Sequence, residues 1–255
     1  MRLFTRLSFL MAIAVYCCDI LAHAQSAQES LTAMSPAPLT ENFAKPWWIP
    51  RHQQKLDDIK TRADEIKLVF IGDSITHAWE NRGKQEWATH FAPRGALNLG
   101  FNGDRTENVL WRIEHGELDG LSPELVVLMI GTNNTGHRQD PPAHTAAGIT
   151  AIVDEIHERL PDSHILLHAI LPRGKTADSP LRQLNTQVNQ LIEPLAERPH
   201  VSWLDVSSLF MTDDGRIERT VMSDFLHPNA EQYSVWAEAL EPHISRLMSP
   251  LHDGD

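Results

Sequence analysis

Five short apolar runs, most of them closed at once by a glycine or a proline, constrain this 255-residue chain more than any other feature. They cover residues 66–71, 96–99, 125–130, 165–171 and 201–206. The first three end at Gly72, Gly100 and Gly131, and the fourth at Pro172. Runs this short that are apolar on both faces fit strands buried in a parallel sheet. The segments between them have helical spacing: Ile149, Ile152, Val153, Ile156 and Leu160 form one stripe, and Leu181, Leu184, Val188, Leu191, Ile192 and Leu195 form another. A third stripe, Tyr233, Trp236, Ala237, Leu240 and Ile244, carries Pro242, which is expected to bend its helix. Strand and helix alternating in this order predict an α/β chain, a parallel sheet with helices on both faces. Ligands of such sheets sit beyond the carboxyl ends of the strands. Reactive residues should therefore follow strands directly.

Three segments meet that demand. Gly72-Asp73-Ser74-Ile75-Thr76 follows the first run and places Ser74 at a strand-to-helix turn, where helix-start N–H groups can stabilise an anion. Taken alone, Ser74 reads first as a helix N-cap. Thr76 stands where the nucleophile elbow of the common α/β-hydrolases needs a second glycine, so that motif is absent. Asn98 to Asp104 follows the second run; Gly103 allows close approach of its backbone, and Asp104 and Glu107 have the spacing of a capping box for the helix through Trp111. Gly131-Thr132-Asn133-Asn134 follows the third run, and an asparagine amide can hold a developing oxyanion or simply make a turn.

A fourth segment, Asp224-Phe225-Leu226-His227-Pro228, precedes the last helix. An acid three residues before a histidine can hold Nδ1–H while Nε2 takes a proton from a serine. A metal site would need further ligands, and none stands out among the other histidines. His77, His137 and His168 read as surface or satisfied core residues. Each segment is weak alone. Together they supply a nucleophile, a base, an orienting acid and oxyanion donors, each at a loop where the fold calls for a site.

These four blocks resemble those of the SGNH hydrolases, also called GDSL esterases and lipases. The name-giving Ser, Gly, Asn and His match Ser74, Gly103, Asn133 and His227, and the family's aspartate matches Asp224. Within that family, Trp111-Arg112, Gly116-Glu117-Leu118, Asn133-Asn134, Leu171-Pro172-Arg173-Gly174 and Asp224 to His227 are similar to the catalytic alpha subunits of the intracellular platelet-activating-factor acetylhydrolases, from about Trp47 to about Leu247. The resemblance implies a three-layer α/β/α sandwich around a flavodoxin-like parallel five-stranded sheet. It also implies a catalytic set of Ser74, Asp224 and His227, an oxyanion hole of Ser74, Gly103 and Asn133, and no metal or cofactor. Asn102 departs from the pattern, standing where a glycine is expected before Gly103.

The expected function is hydrolysis of small acyl esters, acetyl esters first, with an acetylated glycan among the candidate substrates. A lysophospholipase or thioesterase on the same fold is the first alternative. A non-catalytic glycan-binding module is the second, although no member of the triad is missing. Neither a Walker A run nor Gly-x-Gly-x-x-Gly occurs, which disfavours a nucleotide binder. With a formal net charge of −12, nucleic acid and anionic membranes are poor partners. A homodimer is left open.

The start of the chain reads as an export signal. Arg2 and Arg6 precede an apolar run at 7–15, and Ala22-His23-Ala24 offers a cleavage point. That run is too short for a stable membrane anchor. The cytosolic alpha subunits lack such a segment, and secreted members of the family often deacetylate polysaccharides. Cys17 and Cys18 are the only cysteines and fall inside the signal, which leaves the remainder without a thiol. The expected division is a signal peptide at 1–24, a flexible linker at 25–45 and a hydrolase domain at 46–250, with a secreted or periplasmic location.

Overall fold

The computed structural model describes residues 32–248. Five parallel strands form one sheet: β1 (Leu68–Gly72), β2 (Ala96–Gly100), β3 (Leu125–Met129), β4 (His164–His168) and β5 (Val201–Leu204), in the order β2-β1-β3-β4-β5. That order reverses direction between β1 and β3, which opens a crevice at their carboxyl ends. Gly72 lies opposite Gly100 on one side and Met129 on the other. β2, β1 and β3 therefore end level, and their following loops emerge side by side.

Alternation along the strands divides the interior into two layers. Val69, Ile71, Leu97, Leu99, Val126, Leu128, Ile165 and Leu167 face one core. Against it pack α1 (Trp48–Arg62), α2 (Thr106–Arg112), α3 (Pro142–Arg159) and α4 (Pro180–Ile192). Leu68, Phe70, Leu125, Val127, Met129 and Leu166 face the other core, with α5 (Ala230–Leu247) and the aromatic residues Trp79 and Phe91. The result is the expected three-layer α/β/α sandwich.

Several local expectations shift. The run 165–171 leaves the sheet after His168, because the Asn189 side chain takes both the N–H and the carbonyl of Ile170. The stripe on α4 stops at Ile192, two residues before Pro194, and its Leu191 is exposed. Polar Arg182 and Asn185 are buried in that helix instead. They satisfy backbone carbonyls of the loops beyond the strands, Arg182 those of Arg173, Gly174 and Gly215 and Asn185 that of Leu171. The helix α5 continues through Pro242 as a single element.

Residues 32–45 do not behave as free linker. Ala33, Leu39 and Ala44 are buried. The Ala33 carbonyl accepts from Thr106 Oγ1 at 2.8 Å, the Ala37 carbonyl accepts from Asn108 Nδ2 at 2.9 Å, and the Ala37 N–H donates to the Glu107 carbonyl at 3.1 Å. Glu41 pairs with Arg105. A segment that docks mainly through its backbone needs few apolar side chains, which is why its composition reads as linker. The expected signal at 1–24, the linker residues 25–31 and residues 249–255 lie outside the described residues.

Candidate active site

The site begins where β1 ends. Asp73, not Ser74, caps the short helix Ser74–His77: its Oδ1 accepts from Ile75 N–H at 2.9 Å. The helix is thereby capped without use of the Ser74 hydroxyl. Asp73 is buried, and burial lifts its carboxyl to about 6, against the Ile75 N–H and the charges of His227 and Arg173. The short helix lies directly across the end of β2. A Cβ built on Gly100 would come within 2.2 Å of His77 N, so only glycine fits there.

Ser74 Oγ lies 2.9 Å from His227 Nε2, and His227 Nδ1 lies 2.7 Å from Asp224 Oδ2. These side chains arrive from residues 153 positions apart. The loop that carries the acid and the base is folded around Phe225, whose φ of 60° is left-handed although it is not glycine. That turn lets both Leu226 N–H (3.0 Å) and His227 N–H (2.8 Å) donate to Asp224 Oδ1. The Phe225 carbonyl accepts from Gly174 N–H at 2.8 Å, and the Arg219 guanidinium sits 4.7 Å above the Phe225 ring. Burial alone would raise the Asp224 carboxyl. The N–H groups of His227, main-chain and imidazole, outweigh it with help from Leu226 and hold the carboxyl at about 2. Asp224 is therefore an anion across ordinary pH, held against the ring that would need to carry positive charge.

Gly103 and Asn133 complete the group. Gly103 adopts φ of 84°, the left-handed region that disfavours any side chain. Asn133 is buried and donates Nδ2–H to the Asp104 carbonyl at 2.9 Å. A primary amide has a second N–H, which leaves one donor uncommitted by that bond. Ser74, Gly103, Asn133 and His227 all line one cavity of about 380 Å³. Its other walls include Phe43, Ala78, Asn81, Arg82, Asn102, His137 and Leu226. The structure thus brings together all five residues singled out in the sequence: Ser74, Gly103, Asn133, Asp224 and His227.

The role expected of Asp104 is different from the one observed. It makes no capping box with Glu107; the start of α2 is held by Asn108 Oδ1, which accepts from Arg105 N–H. Asp104 is fully buried, where Oδ1 accepts from the Trp48 indole at 2.6 Å and Oδ2 from Arg112 Nε at 2.8 Å. Arg112 also binds Glu117, which in turn meets His52 Nδ1 at 2.9 Å. A buried network thus fixes the residue whose carbonyl holds Asn133. Two carboxylates share one guanidinium there, and burial raises Asp104 to about 7. Of the histidines set aside earlier, His168 is a satisfied core residue: it accepts from the Trp236 indole at 3.0 Å and donates from Nδ1 to the Ala169 carbonyl at 2.6 Å. His137 lines the cavity, which the sequence reading missed. Phe43 was missed as well; the aromatic residues clustered at Phe43, Trp47 and Trp48 were the available signal.

A parallel 2-1-3-4-5 sheet that brings a serine, a histidine and an acid together at its carboxyl edge has the arrangement a serine hydrolase needs. The comparisons make the assignment specific. Residues 70–235 match the GDSL-like lipase/acylhydrolase family. Human platelet-activating factor acetylhydrolase IB subunit alpha1 is 36% identical over 222 residues, 87% of this chain and 93% of that protein. The rat alpha2 subunit is 35% identical over 202 residues, 79% of this chain and 85% of that protein. Among solved structures, a GDSL-like lipase from Bacteroides thetaiotaomicron superposes with a TM-score of 0.65 at 19% identity, covering 77% of this chain and 98% of its own. A catalytic mutant of an acetylxylan esterase from Geobacillus stearothermophilus superposes with a TM-score of 0.56 at 18% identity, covering 71% and 93%. The chain belongs to the GDSL-like lipase/acylhydrolase family and is an ester hydrolase.

One expectation is overturned here. A secreted or periplasmic location was inferred from residues 1–24, but the relatives that match 85–87% of the chain are subunits of the intracellular acetylhydrolases. The export assignment is withdrawn. Among the described residues, no helix is long and apolar enough to cross a membrane.

Proposed function

We propose that this esterase hydrolyses small acyl esters, acetyl esters in particular, through an acyl-enzyme on Ser74. The observation that carries the reading is the continuous chain of contacts from Ser74 Oγ through the His227 ring to Asp224, 2.9 and 2.7 Å long, opening on the cavity. His227 Nε2 takes the hydroxyl proton as Ser74 Oγ attacks the ester carbonyl, and Asp224 steadies the imidazolium that forms. The oxyanion is received by the backbone N–H groups of Ser74 and Gly103 and by the Asn133 amide. Collapse of the tetrahedral intermediate breaks the bond to the alcohol oxygen, which leaves with the proton from His227. Water then attacks the acyl-enzyme by the same route, releasing the acid and restoring Ser74.

The preference for acetyl is supported by the names of the relatives, acetylhydrolase subunits and an acetylxylan esterase. Phe43 and Leu226 line the cavity beside Ser74 in which the acyl group would lie. Forcing added methylenes into a closed pocket typically costs about 1–3 kcal/mol, whereas an open apolar channel gains about 0.8 kcal/mol for each methylene buried. An acetylated carbohydrate is the substrate class we favour, from the resemblance in fold to the acetylxylan esterase. The test is kcat/KM for acetyl, butyryl and octanoyl esters of one alcohol, together with acetylated xylan, each with wild-type and Ser74→Ala protein. The reading expects values that fall with chain length and vanish with Ser74. Values that climb steadily to octanoyl would replace it with a lipase or lysophospholipase.

A further inference from the structure

The cavity beside Ser74 has a cation and no acid. Its lining residues are polar or apolar and neutral apart from its histidines and Arg82; no aspartate or glutamate is among them. This is unexpected in a chain with 34 acidic and 22 basic residues. Several arginines elsewhere are answered by carboxylates, Arg51 by Glu80, Arg94 by Glu241, Arg105 by Glu41, Arg112 by Asp104 and Glu117, and Arg138 by Glu107 and Asp140, while Arg173, Arg182 and Arg219 are answered by hydroxyl or carbonyl oxygens. Arg82, an exposed side chain at the cavity wall, has no carboxylate partner among the described residues. Its Nη1 donates to the Pro228 carbonyl at 3.0 Å, and Pro228 follows His227 directly. The bond holds the guanidinium beside the catalytic histidine and leaves donors of its five N–H groups uncommitted. Gly83 fixes the base of this arrangement: a Cβ there would meet Trp79 and Tyr233 at 2.5–2.6 Å, so the turn carrying Arg82 is packed closely onto the core.

We infer that Arg82 forms an anion subsite for the alcohol half of the substrate, selecting esters whose leaving group carries a carboxylate or a phosphate near the scissile bond. The inference rests on the esterase reading above and deepens it. An acetyl group carries no charge, so an anion recognised in the bound ester by a cation at the cavity wall belongs to the alcohol half. A planar guanidinium with free donors matches either anion in a forked geometry. The surrounding charges are mixed in sign: Arg105, Arg173 and Glu41 act on His137, and Asp224 is an anion behind His227. The His137 pKa is lowered, first by burial and then by the charges of Arg105 and Arg173.

The test uses matched pairs of monoacetates that differ in one anionic group: a methyl glucuronoside against a methyl glucoside, and glycerol phosphate against glycerol. The quantity read is the ratio of kcat/KM for the anionic to the neutral ester, in wild type, Arg82→Gln and Arg82→Lys. Wild type should favour the anionic member by about tenfold, the scale of one partly screened charged contact. The ratio should fall to about one in Arg82→Gln, be partly kept in Arg82→Lys, and shrink as ionic strength rises. A rise confined to the glucuronoside pair assigns a carboxylate, and one confined to the glycerol pair a phosphate. A wild-type ratio near one, or a preference that survives Arg82→Gln, overturns the subsite. NMR titration of Ser74→Ala protein with methyl glucuronoside and glycerol phosphate reads the same contact without turnover. Binding that depends on Arg82 while no acetate is hydrolysed would sink the esterase reading and keep the subsite. Hydrolysis with no Arg82-dependent binding or selectivity would do the reverse.

Discussion

Replacing Asp104 tests the buried support of the site. In Asp104→Ala, Arg112 loses one of its two carboxylates while remaining fully enclosed, and the Trp48 indole loses its acceptor. Removing one member of a buried ion pair costs about 3–5 kcal/mol, because the charge left behind stays desolvated. Arg112 keeps Glu117 and the Leu99 carbonyl, which places the loss within that range and not above it. Against a typical total of about 5–15 kcal/mol this is a large fraction. It corresponds to a melting point lower by roughly 6–20 °C for a domain of this size. Urea unfolding at pH 8, followed by tryptophan fluorescence, reads the loss as a shift of midpoint at constant slope. The milder Asp104→Asn keeps an acceptor toward Trp48 and isolates the charge. Burial raises Asp104 to about 7, so the folded state holds its proton more tightly than the unfolded chain does. Its contribution to stability is full below about pH 4, the ordinary range for Asp, and is lost as pH rises through 7. The stability of wild type relative to Asp104→Asn should therefore fall between pH 5 and pH 8. A loss under about 1 kcal/mol in Asp104→Ala would refute the network's role. A relative stability that rises with pH would show that attraction to Arg112 outweighs burial.

The remaining outcomes concern the chemistry. His227→Ala should lower kcat by about a thousandfold or more, as Ser74→Ala should, and the double variant should be little worse than either, because the two act on one proton. Effects that multiply in steady-state assays would separate their roles. Asn133→Ala should lower kcat about a hundredfold with KM little changed, since an oxyanion donor acts mainly in the transition state; a change confined to KM would make Asn133 a ground-state contact. Gly103→Ala should lower both stability and kcat, because φ is 84° there and the new Cβ would meet Phe43 Cζ at 2.6 Å. Phe43→Ala should restore part of the loss only if that contact dominates, which thermal melts of the single and double variants resolve.

The parts of this molecule governed by local pattern were legible in the sequence. Buried parallel strands need apolar residues on both faces, so the cores of β1 to β5 announced themselves, and the residues after β1, β2 and β3 were placed correctly by the rule of strand ends. Strand and helix ends were less legible. Ile170 belongs to a run that looks like strand, yet a side chain on a distant helix, Asn189, takes its backbone bonds. Asp104 and Glu107 have capping-box spacing, but the enclosed charge of Arg112 claims Asp104. Competition of this kind is decided by tertiary contacts that spacing cannot encode. Residues 32–45 show the same limit: their polar composition conceals backbone bonds to α2. Phe43 and Arg82 reach the cavity from segments without any motif, so only the folded chain reveals them.

The central claim is that Ser74 is the nucleophile that takes the acyl group, and labelling it with an electrophile that is not turned over is the most direct measurement. The protein would be incubated with a small alkyl fluorophosphonate, then analysed by intact mass and peptide mapping. One equivalent of adduct should appear, confined to the peptide containing Ser74, with loss of activity in proportion, and Ser74→Ala protein should remain unlabelled. An adduct on another residue, or full inactivation with Ser74 unmodified, would contradict the account.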